Sequence, residues 1–178
     1  MKPEVTRHFM YYGLIVGLVF CLNFFLSTRT GALALSLSWM ITLAIPVIVT
    51  RMAIHCRERV LDGVISYGTA LIYGIQLFFY ASLLSGAFRY VYCQWLAPDF
   101  LPNQVNSALL LVEQMGLTGL IESNGMTMNQ YAEALRSMFT PVNMSLMALV
   151  INCLAGLLVS LVTAAIVKRD KNSVQHNN

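Results

Sequence analysis

Four long apolar stretches, with basic residues gathered at alternate ends of them, constrain this chain more than any other feature. They cover about residues 9–27, 31–50, 64–96 and 142–167. Each supplies close to the ~20 residues that a helix needs to cross ~30 Å of hydrocarbon. The expected fold is therefore all-α: a four-helix transmembrane bundle forming a single integral membrane domain over residues 1–178. A helical extracytoplasmic loop, 97–141, separates spans three and four. Composition agrees, since 57% of residues are hydrophobic and only 11% are charged, whereas a soluble domain carries about a quarter charged residues. The charges sit in short clusters beside the spans rather than on a continuous basic surface, so a nucleic-acid role is not expected.

The placement of the cations sets the orientation. Lys2 and Arg7 precede span one, Arg51, Arg57 and Arg59 lie between spans two and three, and Lys168, Arg169 and Lys171 follow span four. Only Arg29, Arg89 and Arg136 fall on the other side. The positive-inside rule then makes both termini cytoplasmic. A basic start, an apolar run and Ala32-Leu33-Ala34 superficially resemble a signal peptide. The run is longer than an ordinary signal core, however, and a second span begins at the supposed cleavage point.

Each span carries small residues at four-residue spacing, the pattern that lets helix backbones approach closely in lipid. The stripes are Gly13, Gly17 and Cys21; Ala34, Ser38 and Thr42; Ser66, Ala70 and Gly74; and Ala148, Asn152, Gly156, Ser160 and Ala164. Pro46 is expected to kink span two. Span three is long, about 50 Å of helix if counted to Leu96. Its outer end is an aromatic belt from Phe88 to Trp95, with Pro98 and Pro102 as stops. Phe9, Tyr11 and Tyr12 are the expected belt on the inner side. In the loop, 104–115 is a short apolar helix candidate. Thr127 and Gln130 form a capping-box pattern opening a helix to about Phe139. Together these elements read as a cap over the bundle, or as a lid.

Thr69, Tyr73, Gln76 and Tyr80 share one polar and aromatic face of span three. Gln76 and Asn152 sit near the middles of their spans, where buried amides need partners, so they hydrogen-bond each other or line a cavity; Asn23 could join them. Interhelical adhesion and a polar binding cavity are the two readings of Tyr73, Gln76, Tyr80, Asn152 and Asn23. Arg89, at the outer boundary of span three, snorkels to the interface or meets a lipid phosphate. No acidic residue lies deep in a span, where proton-coupled transporters place one. Cys21, Cys56, Cys93 and Cys153 form no C-x-x-C pair or disulfide framework. His55 is remote in sequence from His8 and His176, which gives no metal site. No catalytic motif is present, so no enzymatic activity and no cofactor are expected.

The order of local motifs is distinctive. A basic start leads into Tyr12-Gly13-Leu14-Ile15-Val16-Gly17, followed later by Ser66-Tyr67-Gly68-Thr69-Ala70 and by Tyr90-Val91-Tyr92-Cys93-Gln94-Trp95-Leu96-Ala97-Pro98-Asp99-Phe100, with a last span ending in Lys168-Arg169. Over nearly its whole length the chain resembles the bacterial four-span inner-membrane family catalogued as domain of unknown function 4199. That resemblance implies a multi-pass protein of the bacterial cytoplasmic membrane and brings no catalytic residues with it. Relatives encoded near polyprenyl-phosphate glycosyltransferases imply an enzyme of that class as a protein partner, alongside membrane lipids. The expected function is an accessory or scaffold subunit of an envelope membrane complex. The alternative is a small transporter or flippase for a lipid-linked substrate, resting on Tyr73, Gln76, Asn152 and Arg89.

Overall fold

Helix boundaries in this chain fall where local backbone chemistry changes. A computed structural model describes residues 3–29, 31–123 and 125–169. Helix α1, Pro3–Ser27, ends where the Ser27 and Thr28 hydroxyls donate to carbonyls of its last turn, each at 2.7 Å. Helix α2, Ala32–Val60, continues through Pro46. It ends at Asp62 and Gly63, whose φ angles of 54° and 81° reverse the chain. Helix α3, Tyr67–Val91, is followed by one π-helical turn, Tyr92–Leu96. Then come α4, Phe100–Gln114, α5, Thr118–Ser123, α6, Met128–Met138, and α7, Pro141–Val167. No strand forms among the described residues; a lone antiparallel bridge joins Ile65 to Arg169. The four long helices α1, α2, α3 with its π-turn, and α7 are each long and apolar enough to cross a membrane.

Several boundaries differ from the sequence expectation. Residues 51–60, expected as a basic link, are the last turns of α2. Arg, Met, Ala and Glu favour helix as strongly as the span before them, so hydropathy ends near Thr50 while the helix does not. Pro102 stops nothing. It sits in the first turn of α4, where a missing N–H leaves no hydrogen bond broken. Helix α5 arises in the glycine-containing stretch assigned no element. Ser66 is not part of a packing stripe: its Oγ accepts from the Thr69 N–H at 3.3 Å, at the start of α3. The capping box at Thr127 and Gln130 forms as expected, with both reciprocal bonds present, at 2.9 and 3.3 Å.

The chain divides into two compact units: residues 1–86 with 148–178, and residues 87–147. In the first unit the long helices close into a ring. Helix α1 packs on α2. Gly13 and Gly17 bring α1 onto α3, where an added Cβ would stand 2.9 Å from Tyr80 Cβ and from Leu84 Cδ2 respectively. Gly74 lies against Ser160, and Gly156 against the Phe78 ring, which joins α3 to α7. The Thr50 and Thr163 hydroxyls, 3.1 Å apart, join α7 back to α2. The core between them contains Val16, Val49, Tyr73, Leu77, Phe78 and Ala164. In the second unit α6 packs on α4 and α5. Tyr92 stands edge-on to Phe100, with centroids 5.9 Å apart, and Leu101 and Val105 are buried.

Candidate functional site

Because α1 and α2 run antiparallel, the first turns of α1 lie beside the last turns of α2. This brings together His8 and His55, 47 positions apart in the chain. Their rings stack with centroids 5.7 Å apart and 29° between planes. Tyr12 packs on both, at 4.3 Å from His8 and 6.1 Å from His55. Helix α3 runs parallel to α1 and contributes Tyr73, which is fully buried and whose hydroxyl lies 3.0 Å from His8 Nδ1. His8 Nε2 is buried and makes no hydrogen bond. Whichever tautomer His8 adopts, one ring nitrogen is satisfied by Tyr73 and the other is not. The arrangement can hold a proton between a phenol and an imidazole at one end of the bundle. Among the described residues no three potential ligands gather to hold a metal ion.

Phe9 does not join an inner aromatic belt. It is 2% exposed and packs edge-on to Tyr73, with ring centres 6.4 Å apart, and against Tyr80 at 5.9 Å. Tyr11 is the exposed ring of that group. The Phe9 position lies on the α1 face that continues through Gly13 and Val16, four and seven residues on, so it turns inward with them.

The residues singled out from the sequence do not form one constellation. Asn23 bridges α1 to α2: its Nδ2 donates to Thr42 Oγ1 at 3.0 Å, and its Oδ1 accepts from Ser38 Oγ at 2.6 Å. Tyr73 belongs to the histidine cluster, and Tyr80 lies between Phe9 and Phe79. Gln76 Oε1 is buried without a hydrogen-bond partner, and no hydrogen bond joins it to Asn152. The expected Gln76–Asn152 bond fails for a reason of register. Gly74 opposite Ser160 and Phe78 opposite Gly156 fix how α3 and α7 align. On that alignment the level of Gln76 is Leu158 and the level of Asn152 is Ser82, which separates the amides by about 9 Å along the axis. Arg89, in the last turn of α3, belongs to the second unit. That unit holds its own pocket of about 280 Å³, lined by Leu101, Pro102, Val105, Asn106, Arg136 and Phe139.

The model of the family described as "Protein of unknown function (DUF4199)" matches residues 11–169. The chain belongs to the DUF4199 family. No curated protein and no solved structure matches it. The matched range covers α1 from Tyr11 onward, all of α2, α3 and α7 and the elements between α3 and α7 of this DUF4199 chain, while His8 precedes it.

The His8, His55, Tyr73 and Tyr12 cluster is what residue-by-residue reading misses. His55 looks isolated along the chain. Counting equal distances back from the turn near residue 30 would have paired the two histidines, provided α2 was taken past Thr50.

Proposed function

We propose that this protein is a non-enzymatic accessory or scaffold subunit of a complex in the bacterial cytoplasmic membrane. The reading is supported by one contrast. The interior of the first unit is filled, with Tyr73, Leu77 and Ala81 fully buried and with Gly74 and Gly156 closed by side chains of the facing helix. Helix α2, by contrast, exposes Leu33, Trp39, Met40, Leu43 and Val47 along its length. A filled core favours a role carried on the outer surface, and a broad apolar helix face suits a neighbouring membrane helix. A polyprenyl-phosphate glycosyltransferase is the partner class to test. Orientation follows from charge: the start of α1, the end of α2 and the end of α7 meet at one end and carry Arg7, Arg51, Arg57, Arg59, Lys168 and Arg169. Lys2 and Lys171 lie outside the described residues. The positive-inside rule makes that end cytoplasmic.

The test is a photo-crosslinking amino acid introduced in cells at Met40 or Leu43, with fully buried Val49 as control. A protein adduct of defined mass should form from the two exposed positions and not from Val49. Lipid adducts alone, at every exposed position, would sink the scaffold reading.

The transporter or flippase reading draws on Gln76, whose buried Oε1 lacks a partner. If Gln76 is only tolerated in the core, Gln76→Leu should leave cellular function intact and stability equal or higher, because an unsatisfied polar atom is removed. Loss of function at full stability would promote the transporter.

A further inference from the structure

The Thr50–Thr163 contact joins α2 to α7. Thr50 donates its proton to the Pro46 carbonyl at 2.8 Å, so Thr163 donates to Thr50, and the two hydroxyls close the contact without a free donor. Alongside them a groove of about 520 Å³ runs between the helices. That is within the roughly 300–1,000 Å³ of small-molecule sites. Pro46 and Val47 form one wall, and Leu158, Val162 and Ile166 form the other. All five are exposed, so the groove opens sideways, away from the core.

Both walls belong to helices apolar enough to cross a membrane. A groove there faces hydrocarbon, its walls offer water few partners, and leaving it empty forfeits dispersion contacts along both helices. An alkyl chain has the chemistry to fill it. The groove has one charged lining residue, Arg51, placed where the apolar run of α2 ends. Arg51 is exposed and has no hydrogen bond or ion pair among the described residues; its neighbour Arg57 is instead engaged by the Val167 carbonyl and by Glu58, each at 3.1 Å. An occupant therefore needs an alkyl chain the length of the groove and an anion at its interfacial end. The nine residues from Leu158 to Ile166 span about 12 Å, a reach suited to part of one acyl chain.

We propose that the α2–α7 groove binds an anionic phospholipid, with one acyl chain along Val47 and Val162 and its phosphate on the Arg51 guanidinium. Guanidinium and phosphate form short, charge-assisted hydrogen bonds. A net negative headgroup satisfies Arg51, while a choline headgroup brings a competing cation to the same place. The site lies on the surface of the first unit and shares Val47 with the exposed apolar face of α2.

The experiment is native mass spectrometry of the full chain released from micelles containing equal phosphatidylglycerol and phosphatidylcholine. The wild-type protein should retain one phosphatidylglycerol in about fivefold preference over phosphatidylcholine, the fold-change expected of one cation at an anionic surface. Arg51→Gln should bring that ratio to about one, while Arg59→Gln, an exposed cation away from the groove, should leave it unchanged. Val162→Trp should reduce retention of both lipids by filling the groove. Leu158→Trp repeats that test from the other end of the wall. Arg51 and both tryptophan positions are exposed, and a thermal melt in lipid-free detergent checks that each variant is folded. Equal retention of the two lipids by the wild type overturns the proposal. So does a preference that survives Arg51→Gln, one that falls equally with Arg59→Gln, or retention untouched by both tryptophans.

Discussion

At Gly156 the absence of a side chain is what lets α7 rest on the Phe78 ring: a Cβ there would stand 2.7 Å from Phe78 Cδ1. Phe78 is 2% exposed and has nowhere to retreat. Gly156→Leu should therefore destabilise the fold by about 1–3 kcal/mol, the range of overpacked cores. Gly68, in the first turn of α3, has nothing within 4 Å of a built Cβ. Gly68→Ala should be neutral or stabilising by up to about 1 kcal/mol, through lost freedom of the unfolded chain. Melting both variants in detergent checks the pair; equal effects would mean that neither glycine is a contact point. The span-four stripe was legible because a fixed period on one helix needs no knowledge of its neighbour. Ala148, Gly156, Ser160 and Ala164 are all buried, with Asn152 half-buried among them. What the sequence could not separate was Ser66 from Gly74. Both stood in the same stripe, yet Ser66 is exposed and only the approach of Ser160 makes Gly74 a contact.

The α1–α2 hairpin is pinned at both ends by polar pairs: Asn23 with Ser38 and Thr42 near the turn, His8 with His55 at the far end. Measured hydrogen bonds between membrane helices average about 0.6 kcal/mol. Asn23→Leu removes two, and should cost roughly 1 kcal/mol, read as a lowered melting temperature in detergent. Because Thr42 also donates to the Ser38 carbonyl at 2.9 Å, its hydroxyl keeps one bond. The loss should therefore stay at or below the lower end of the range for Gly156→Leu, and a larger loss would mean that Asn23 does more than hold two helices. Local devices such as the Thr127 capping box could be read directly, since both partners lie within one turn. Pairings such as Asn23 with Ser38, or Tyr73 with His8, depend on how each helix is rotated and on axial register. Neither is encoded in spacing along a single element, and the Gln76–Asn152 expectation failed on register alone.

Across the whole molecule, the proposed orientation is testable by labelling. Cys56 is a poor reporter, because it is fully buried and would be spared on either side of a membrane. Asn124, the natural choice in the loop, lies outside the described residues. Exposed Glu58 and Ser123 serve instead. In intact cells an impermeant thiol reagent should miss Glu58→Cys and react with Ser123→Cys; the reverse pattern would invert the topology. Helix α2 adds a constraint of a different kind. Its 29 residues make a rod of about 43 Å, against ~30 Å of hydrocarbon. Its cations therefore ride on continuous helix rather than on a slack tether. Arg51 acts as a collar on that helix. Sliding α2 by one turn, about 5.4 Å, toward the opposite face would carry the guanidinium into hydrocarbon, where the cost rises with depth toward about 2.5–3.5 kcal/mol at the bilayer centre. A helix with an open apolar face is thus held at one height by its cation, left free to tilt or turn but not to slip.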